Sequence, residues 1–367
     1  MGLAGVTSLL LGLLGSSVSM APGSGASQFQ ATGAGFVGKH FEAVSCPSST
    51  YCVAVGILQT SSSAVPFADV STDGGSSWTP GVLPKTHSVF PTLDAISCGS
   101  TIHCVAVGSM ITGKGQSAAR IAVVVYSNDG GSSWSRGVIP VGLPLLDSVS
   151  CASANDCVAV GFEGLEARNV AIRSFNGGAT WITGGATAVL APYLVSVSCP
   201  SRVRCTAVGF NRSGVTVVLS TTDAGSAWSA VTLRQPGLQR LVGVSCPTTV
   251  LCVAVGYARN VAPLGHGISA ISDNGGTTWS SSHGHIPVSP LSAVSCPSTR
   301  SCVAVGNASV GGSDAATTTS GGSTWSRSNF QHRSIALYGV SCGSPTHCVA
   351  VGWGGSVITT DGGTSWR

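Results

Sequence analysis

Short runs of apolar residues recur along the whole chain, and turns rich in Gly, Ser, Pro and Asp separate them. Residues 104–108, Cys-Val-Ala-Val-Gly, form one such run, and an apolar stretch such as residues 241–245 precedes each copy. Runs of this length with many β-branched residues and turn signals at both ends predict β-strands. A third run, such as residues 120–126, leads into an Asp-Gly-Gly turn. The Trp that follows is predicted to begin a fourth strand and to pack back over the turn. The pattern predicts an all-β protein, with no long helix after the N-terminal apolar segment.

Two sequence elements recur seven times and define a unit of four strands. The first is V-S-C-x5-C-V-A-V-G, and the second is S/T-x-D-x-G-x-x-W. Asp and Gly suit the turn of the second element, because Gly adopts positive φ and Asp bonds nearby backbone N–H groups. Four strands per unit, repeated radially, describe a blade of a β-propeller, so the sequence predicts seven blades. The Asp position of the second element is occupied by Asp73, Asp129, Asn176, Asp223, Asn274, Ser320 and Asp361.

The 14 cysteines form regularly spaced pairs, with none left over. This regularity favours one disulfide within each hairpin and therefore an oxidising compartment. Free thiols and a metal site are the alternatives, although zinc ligands of one knuckle are usually separated by only about two to four residues. A disulfide that closes so short a loop contributes roughly 2 kcal/mol of stability. The pairs are Cys46/Cys52, Cys98/Cys104, Cys151/Cys157, Cys199/Cys205, Cys246/Cys252, Cys296/Cys302 and Cys342/Cys348.

Composition and the N-terminus restrict compartment and partners. With 43% hydrophobic and 8% charged residues, the chain is neither disordered nor a coiled coil, and a net charge of +4 is too weak to indicate nucleic-acid binding. The apolar run at residues 3–14 is shorter than the ~20 residues that span a bilayer. Residues 1–26 are predicted to be a signal peptide or an N-terminal anchor, and residues 27–367 a single domain. We expect a monomer that is secreted or held in the cell envelope, with membrane contact only through an uncleaved N-terminal segment.

The second element resembles the Asp-box, also called the bacterial neuraminidase repeat. Its copies cover nearly all of the chain after residue 26. The resemblance implies a sialidase-like seven-bladed β-propeller with each box at the turn between the third and fourth strands. Sialidases, other glycosidases, sortilin-type receptors and photosystem II assembly factors have this fold. The V-S-C-P-S and C-V-A-V-G elements look like those of secreted bacterial propellers labelled photosystem II assembly or stability factor-like.

The seventh unit ends at Trp366 and Arg367, before a fourth strand. Residues 28 to 36, with Phe29 where a Trp is expected, are predicted to supply that strand and to join both termini in one blade. This closure would remove exposed sheet edges. The alternative is that the sequence is a fragment.

Propeller geometry places the cysteine turns and the Asp-box turns on one face, where they are nearly invariant among the repeats. The loops on the opposite face vary in length and sequence. Function usually concentrates in variable loops on a rigid scaffold. On that face, the position four residues before the first Cys is acidic in the first three units, and it is Tyr in the seventh unit, which adjoins the first in a closed ring. The first strand of each blade lines the central channel of a propeller, so these four residues are expected to converge near the mouth of that channel. Mutual repulsion would raise the pKa values of these acids, which could serve as general acid and base or hold a cation. Solvated rim carboxylates are the alternative. The four residues are Glu42, Asp94, Asp147 and Tyr338.

Aromatic and basic residues of the variable loops are candidates for ligand binding. Exposed rings would stack on a sugar or grip a peptide, whereas packing between blades is the alternative. Arg120, Arg168 and Arg259 would favour an anionic partner, unless they are scattered solvated charges. The aromatic candidates that follow Val-Gly are Phe162, Phe210, Tyr257 and Trp353.

The sequence favours a non-catalytic propeller that binds a protein or glycan through the variable-loop face, with no cofactor and no metal. A sialidase-type glycoside hydrolase with its site at the channel mouth is the alternative. The resemblance to sialidases would then require an arginine triad and an Arg-Ile-Pro signature before the first box. The chain has no Arg-Ile-Pro, and its first arginine is Arg120.

Overall fold

The computed structural model describes residues 38–60, 64–85, 89–112, 119–143, 145–163, 168–184, 193–211, 213–233, 240–258, 266–281, 286, 288, 290–307, 312–331 and 335–367. These segments form 29 short strands and contain no helix, which confirms the predicted all-β class. Accordingly, no described helix has the length and apolarity needed to cross a membrane.

Six of the blades are antiparallel meanders of four strands with a short fourth strand, and the seventh has three antiparallel strands followed by a short strand that pairs in parallel with residues 329–330. The first three blades contain β1 (Gly38–Ser45), β2 (Cys52–Gln59), β3 (Ala64–Ser71), β4 (Thr79–Pro80), β5 (Val89–Cys98), β6 (Cys104–Thr112), β7 (Ala119–Ser127), β8 (Ser135–Arg136), β9 (Ser148–Cys151), β10 (Cys157–Glu163), β11 (Arg168–Ser174) and β12 (Ile182–Thr183). The next two contain β13 (Tyr193–Ser198), β14 (Cys205–Phe210), β15 (Thr216–Thr221), β16 (Ser229–Thr232), β17 (Arg240–Ser245), β18 (Cys252–Tyr257), β19 (Gly267–Ser272) and β20 (Ser280–Ser281). The last two, with the linking strand β25, contain β21 (Leu291–Ser295), β22 (Cys302–Asn307), β23 (Ser313–Thr318), β24 (Ser326–Arg327), β25 (Asn329–Phe330), β26 (Ala336–Cys342), β27 (Cys348–Trp353), β28 (Gly355–Thr359) and β29 (Ser365–Trp366).

The core consists of layers between neighbouring blades, each with one Asp-box Trp. In one layer, Val208 and Val218 of blade 4 pack against Leu241 and Ala254 of blade 5, with Trp279 at its edge. An equivalent layer, which contains two Phe side chains, lies between blades 7 and 1, so the last blade packs on the first. Burial on both sheet faces explains why so few residues are charged.

Hydrogen bonds between first strands connect the blades into a ring. The Oγ of Ser198 in blade 4 accepts a 3.0 Å hydrogen bond from the backbone N–H of Cys246 in blade 5. The equivalent bond from Cys46 to Ser341 joins blade 1 to blade 7 at 2.9 Å. The serine of V-S-C therefore has a structural role that the sequence reading did not assign. The seven bonds, written from N–H to Oγ, are Cys98–Ser45, Cys151–Ser97, Cys199–Ser150, Cys246–Ser198, Cys296–Ser245, Cys342–Ser295 and Cys46–Ser341.

All seven predicted disulfides are present, with Cα–Cα separations of 3.9 to 4.1 Å across the hairpin of the first and second strands. No cysteine is free, so the free-thiol and metal alternatives are wrong. Disulfides at this density indicate an oxidising compartment.

The Asp-box acids are bound within their own turns. Asp129 Oδ1 accepts hydrogen bonds from Ser127 Oγ (2.7 Å) and Ser133 N (2.9 Å). Trp134 packs back over the turn, as predicted, and its Nε1 donates to the carbonyl of Gly131 at 2.9 Å. The fourth strand of this blade begins one residue after the Trp rather than at it. These side chains stabilise the turn and leave the box without an evident binding role.

In the seventh blade, backbone bonds in both directions pair Ile358 with Arg367, as Val70 pairs with Thr79 in the first blade. The strand predicted from residues 28 to 36, including Phe29, lies outside the described residues, as do residues 1–26.

Candidate functional site

A β-bulge in the first strand of six blades positions most of the residues predicted to form the site. In β13 the register shifts between Leu194 and Ser196, which leaves Val195 without an opposite residue. A Cβ on Gly209 would lie 1.9 Å from the carbonyl oxygen of Tyr193, so only glycine fits opposite the bulge. This explains the last Gly of C-V-A-V-G. The same bulge places Glu42 in β1, Asp94 in β5 and Tyr338 in β26.

The three acids interact electrostatically, and burial is the main cause of their altered titration. Desolvation, with a smaller contribution from the charge of Asp94, raises the pKa of Glu42 to about 7. Desolvation also raises the pKa of Asp94 to about 6, although Arg120 and Thr92 oppose it. The pKa of Asp147 is raised well above its usual value by burial and then by Asp94, and Arg120 again opposes the rise. Mutual repulsion, the cause expected from the sequence, therefore comes second.

A short network connects Arg120 of the third strand to the acid of the first strand in blade 2. Arg120 Nε donates to Ser109 Oγ at 2.9 Å, and the Ser109 and Thr92 hydroxyls are 3.3 Å apart. Thr92 Oγ1 donates to Asp94 Oδ2 at 3.2 Å. Arg120 is exposed, so its guanidinium lies at the surface of the mouth.

Both carboxylate oxygens of Asp147 are shielded from solvent, and neither accepts a hydrogen bond from any described residue. Its backbone N–H, by contrast, donates to the carbonyl of Val160 at 2.9 Å. Buried polar atoms are nearly always paired, and among the described residues Asp147 is the one carboxylate with both oxygens buried and unpaired.

At the seam between blades 7 and 1, aromatic side chains stand beside the acids. Burial, followed by the charge of Glu42, raises the pKa of Tyr338 to about 12. The ring of Trp353 meets that of His40 edge-on, with 4.4 Å between centroids, and His40 lies opposite Trp353 in the sheet. Trp353 is 37% exposed, the largest exposed apolar side chain among these residues of the mouth.

Across the mouth, a second aromatic group joins blades 3, 4 and 5. Tyr193 contacts both Phe162 (5.0 Å between centroids) and Phe210 (5.3 Å). The Arg240 guanidinium lies 4.3 Å from the Phe210 centroid, and its Nη1 donates to Tyr257 Oη at 3.3 Å. Phe162 and Phe210 are only 3% and 4% exposed, so they pack between blades and present no ring to a ligand. Tyr257 and Trp353 keep exposed area.

Sequence reasoning missed several residues of the mouth, namely His40, Thr92, Ser109, Tyr193 and Arg240. They lie two residues before the bulge or one residue after Val-Gly, so the strand register would have identified these positions. Arg259 lies outside the described residues, and the side chain of Arg168 is not described. No described group of His, Cys, Asp or Glu side chains has the geometry to hold a metal ion.

A cavity of about 360 Å³ opens elsewhere, beside the outer part of blade 2. Met110, Ile121, Ile139 and Val141 line it, with Arg136 at its edge. It contains none of the residues predicted to form the site.

By sequence, the chain matches no protein-family model and no curated protein. By structure it is similar to YCF48 bound to a D1 peptide (17% identity, TM-score 0.52, 78% of this chain and 82% of that one). It is also similar to the GH74 xyloglucanase from Xanthomonas campestris, with 14% identity and a TM-score of 0.62 over 91% of this chain and 55% of that one. A third similar structure is a Hadza microbial sialidase, with 14% identity and a TM-score of 0.53 over 73% of this chain and 63% of that one. The chain thus spans about half of the xyloglucanase. These likenesses, together with the repeated four-stranded sheets, show that the chain has the fold of a sialidase-like β-propeller.

Proposed function

We propose that this chain is a non-catalytic propeller, secreted or held in the cell envelope, that binds a protein segment through its variable-loop face. The observation that carries the proposal is Trp353, which is exposed at the mouth and fixed against His40. Tryptophan is enriched among the residues that dominate binding energy, and a ring that is already held loses little entropy on binding. The peptide-bound YCF48 neighbour is consistent with a protein ligand.

Trp353→Ala tests this proposal. We expect the purified wild-type domain to bind members of a peptide array, and the variant to bind the same peptides at least about tenfold more weakly. Val250→Ala is the matched control, because Val250 is 54% exposed but lies in a cysteine turn on the opposite face. Unchanged binding by Trp353→Ala, or binding to a glycan array in place of peptides, would contradict the proposal.

A glycoside hydrolase is the second candidate, and the raised pKa values of Glu42 and Asp94 favour it. A carboxyl group that stays protonated near neutral pH can act as a general acid beside a second carboxylate. Hydrolysis of fluorogenic glycosides that disappears in both Asp94→Asn and Tyr338→Phe would establish this function. Turnover that persists in both variants would exclude this site.

A further inference from the structure

The ionised form of the acid cluster of Glu42, Asp94 and Asp147 has more negative charge than its described surroundings neutralise. Asp94 acts on both of the other acids, and Arg120 is the one described cation that acts on Asp94 and Asp147. When all three carboxylates are ionised, they and the single guanidinium leave a net charge of two negative units. Arg120 is also partly engaged, because its Nε is bonded to Ser109.

Asp147 is an independent observation that points to a ligand. Removing a carboxylate from water without a compensating hydrogen bond is unfavourable, and neither oxygen of Asp147 has such a bond from a described residue. Every serine of the neighbouring V-S-C elements is bonded, so the local fold does not force this exception. Unsatisfied buried groups in an otherwise consistent structure concentrate at functional sites.

Aromatic side chains border the acids on one side. Tyr338 is close enough to Glu42 for the carboxylate charge to act on its hydroxyl. Trp353 lies opposite His40 and Ala336, which precede Glu42 and Tyr338 by two residues on the same two strands. Carboxylates beside aromatic rings recognise ammonium and guanidinium groups through charge-assisted hydrogen bonds and cation–π contacts.

We propose that the mouth between blades 7, 1, 2 and 3 receives a lysine or arginine side chain of the protein ligand, with the acid cluster as its counter-charge. The inference rests on the proposed function and names the chemistry of its ligand. The cation would contact Glu42 and Asp94, which are only half-buried, and Asp147 would strengthen the negative field from behind. An acidic ligand, which the arginines alone would suggest, would be repelled here.

Short peptides of Gly and Ser with one central arginine, lysine, citrulline or glutamate test the proposal by calorimetry. We expect the arginine and lysine peptides to bind at least about tenfold more tightly than the citrulline peptide, and the glutamate peptide to bind weakest. Equal affinity for the arginine and citrulline peptides, or no binding by any peptide, would overturn the proposal.

Proton release gives a second readout. Between pH 5 and 8 the cation binds ionised carboxylates, so affinity should rise with pH while protons pass to the buffer. Tyr338, with its pKa raised to about 12, stays neutral over this range. His40→Gln removes the imidazole at the rim and should keep the pH response, whereas Glu42→Gln should reduce it.

Asp147→Asn and Glu42→Gln should each weaken binding of the arginine peptide by at least about fivefold, while Asp273→Asn, an exposed acid in an Asp-box turn, should leave it unchanged. Thermal unfolding checks that each variant folds. If Trp353→Ala abolishes binding of the arginine peptide and Asp147→Asn does not change it, the proposed function is supported and the proposed cation site is contradicted. If Trp353→Ala also keeps it, the proposed function fails as well.

Discussion

Aspartates of one chain titrate in opposite directions because their surroundings differ. Hydrogen bonds from the hydroxyl and backbone N–H of Ser133 hold the pKa of Asp129 below its usual value at the exposed turn. Burial raises that of Asp147 in the channel mouth. Structural acids and candidate functional acids are therefore distinguished by their position within the repeat. Their side-chain type does not distinguish them, because both groups contain aspartates.

Glu42→Gln measures the effect of burial on one member of the acid cluster. A pKa raised to about 7 means that folding favours the protonated form. The associated stability is present below the unfolded value of 4.5 and is lost as pH rises through 7. Gln resembles the protonated acid, so the variant should match the wild type at pH 4 and exceed its unfolding free energy by about 1 to 3 kcal/mol at pH 8.

Urea unfolding at the two pH values checks this prediction. Asp273→Asn, on the opposite face, should show no such pH-dependent difference. If Glu42→Gln were equally destabilised at both pH values, the carboxylate would not be buried as the structure describes.

At the scale of the element, the repeat made the blade predictable. The two repeated elements predicted the hairpin disulfides, the Asp-box turn and the packing of its Trp, because each involves residues close in sequence. The first-strand bulge was not predicted, since it depends on pairing between separate strands and leaves no alternating pattern. The contact of Arg120 with Ser109 and, through Thr92, with Asp94 crosses three strands and could not be read from spacing. The burial of Phe162 and Phe210 likewise depends on Tyr193, which has no equivalent in the other units.

Two substitutions at Asp129 test what the Asp-box requires. Asn176 occupies the equivalent place in blade 3, where its Oδ1 accepts from Thr180 N at 2.9 Å and its Nδ2 donates to Thr180 Oγ1 at 2.8 Å. Asn therefore bonds the same backbone N–H and the equivalent hydroxyl without charge, although it donates to that hydroxyl where Asp129 accepts from it. Asp129→Asn should change the unfolding free energy by less than about 0.5 kcal/mol, whereas Asp129→Ala should lower it by about 1 kcal/mol.

Chemical unfolding at neutral pH compares the two variants. Equal losses in Asp129→Asn and Asp129→Ala would mean that the charge, rather than the hydrogen bonds, stabilises the turn.

At the scale of the molecule, the described blades close into a ring, because the last blade packs on and bonds to the first. Each interface between blades contains one core layer and one serine-to-cysteine bond, including the interface of blades 7 and 1. Closure also determines the candidate site, because Tyr338 and Trp353 come from the last blade and Glu42 from the first. A chain open at this seam would separate the aromatic residues from the acids.

Ser341→Ala tests the closure directly, since its Oγ accepts the bond from Cys46 across the seam. Its loss leaves a buried N–H unpaired, so we expect a decrease in unfolding free energy of about 1 kcal/mol, with 3 kcal/mol as a rough upper limit. Ser198→Ala removes the equivalent bond between blades 4 and 5, which are consecutive in the chain, and should cost about the same. Ser281→Ala, at an exposed position, should be neutral. Urea unfolding under non-reducing conditions gives all three values. The closure would be contradicted if Ser341→Ala, like Ser281→Ala, left the unfolding free energy unchanged while Ser198→Ala lowered it by about 1 kcal/mol.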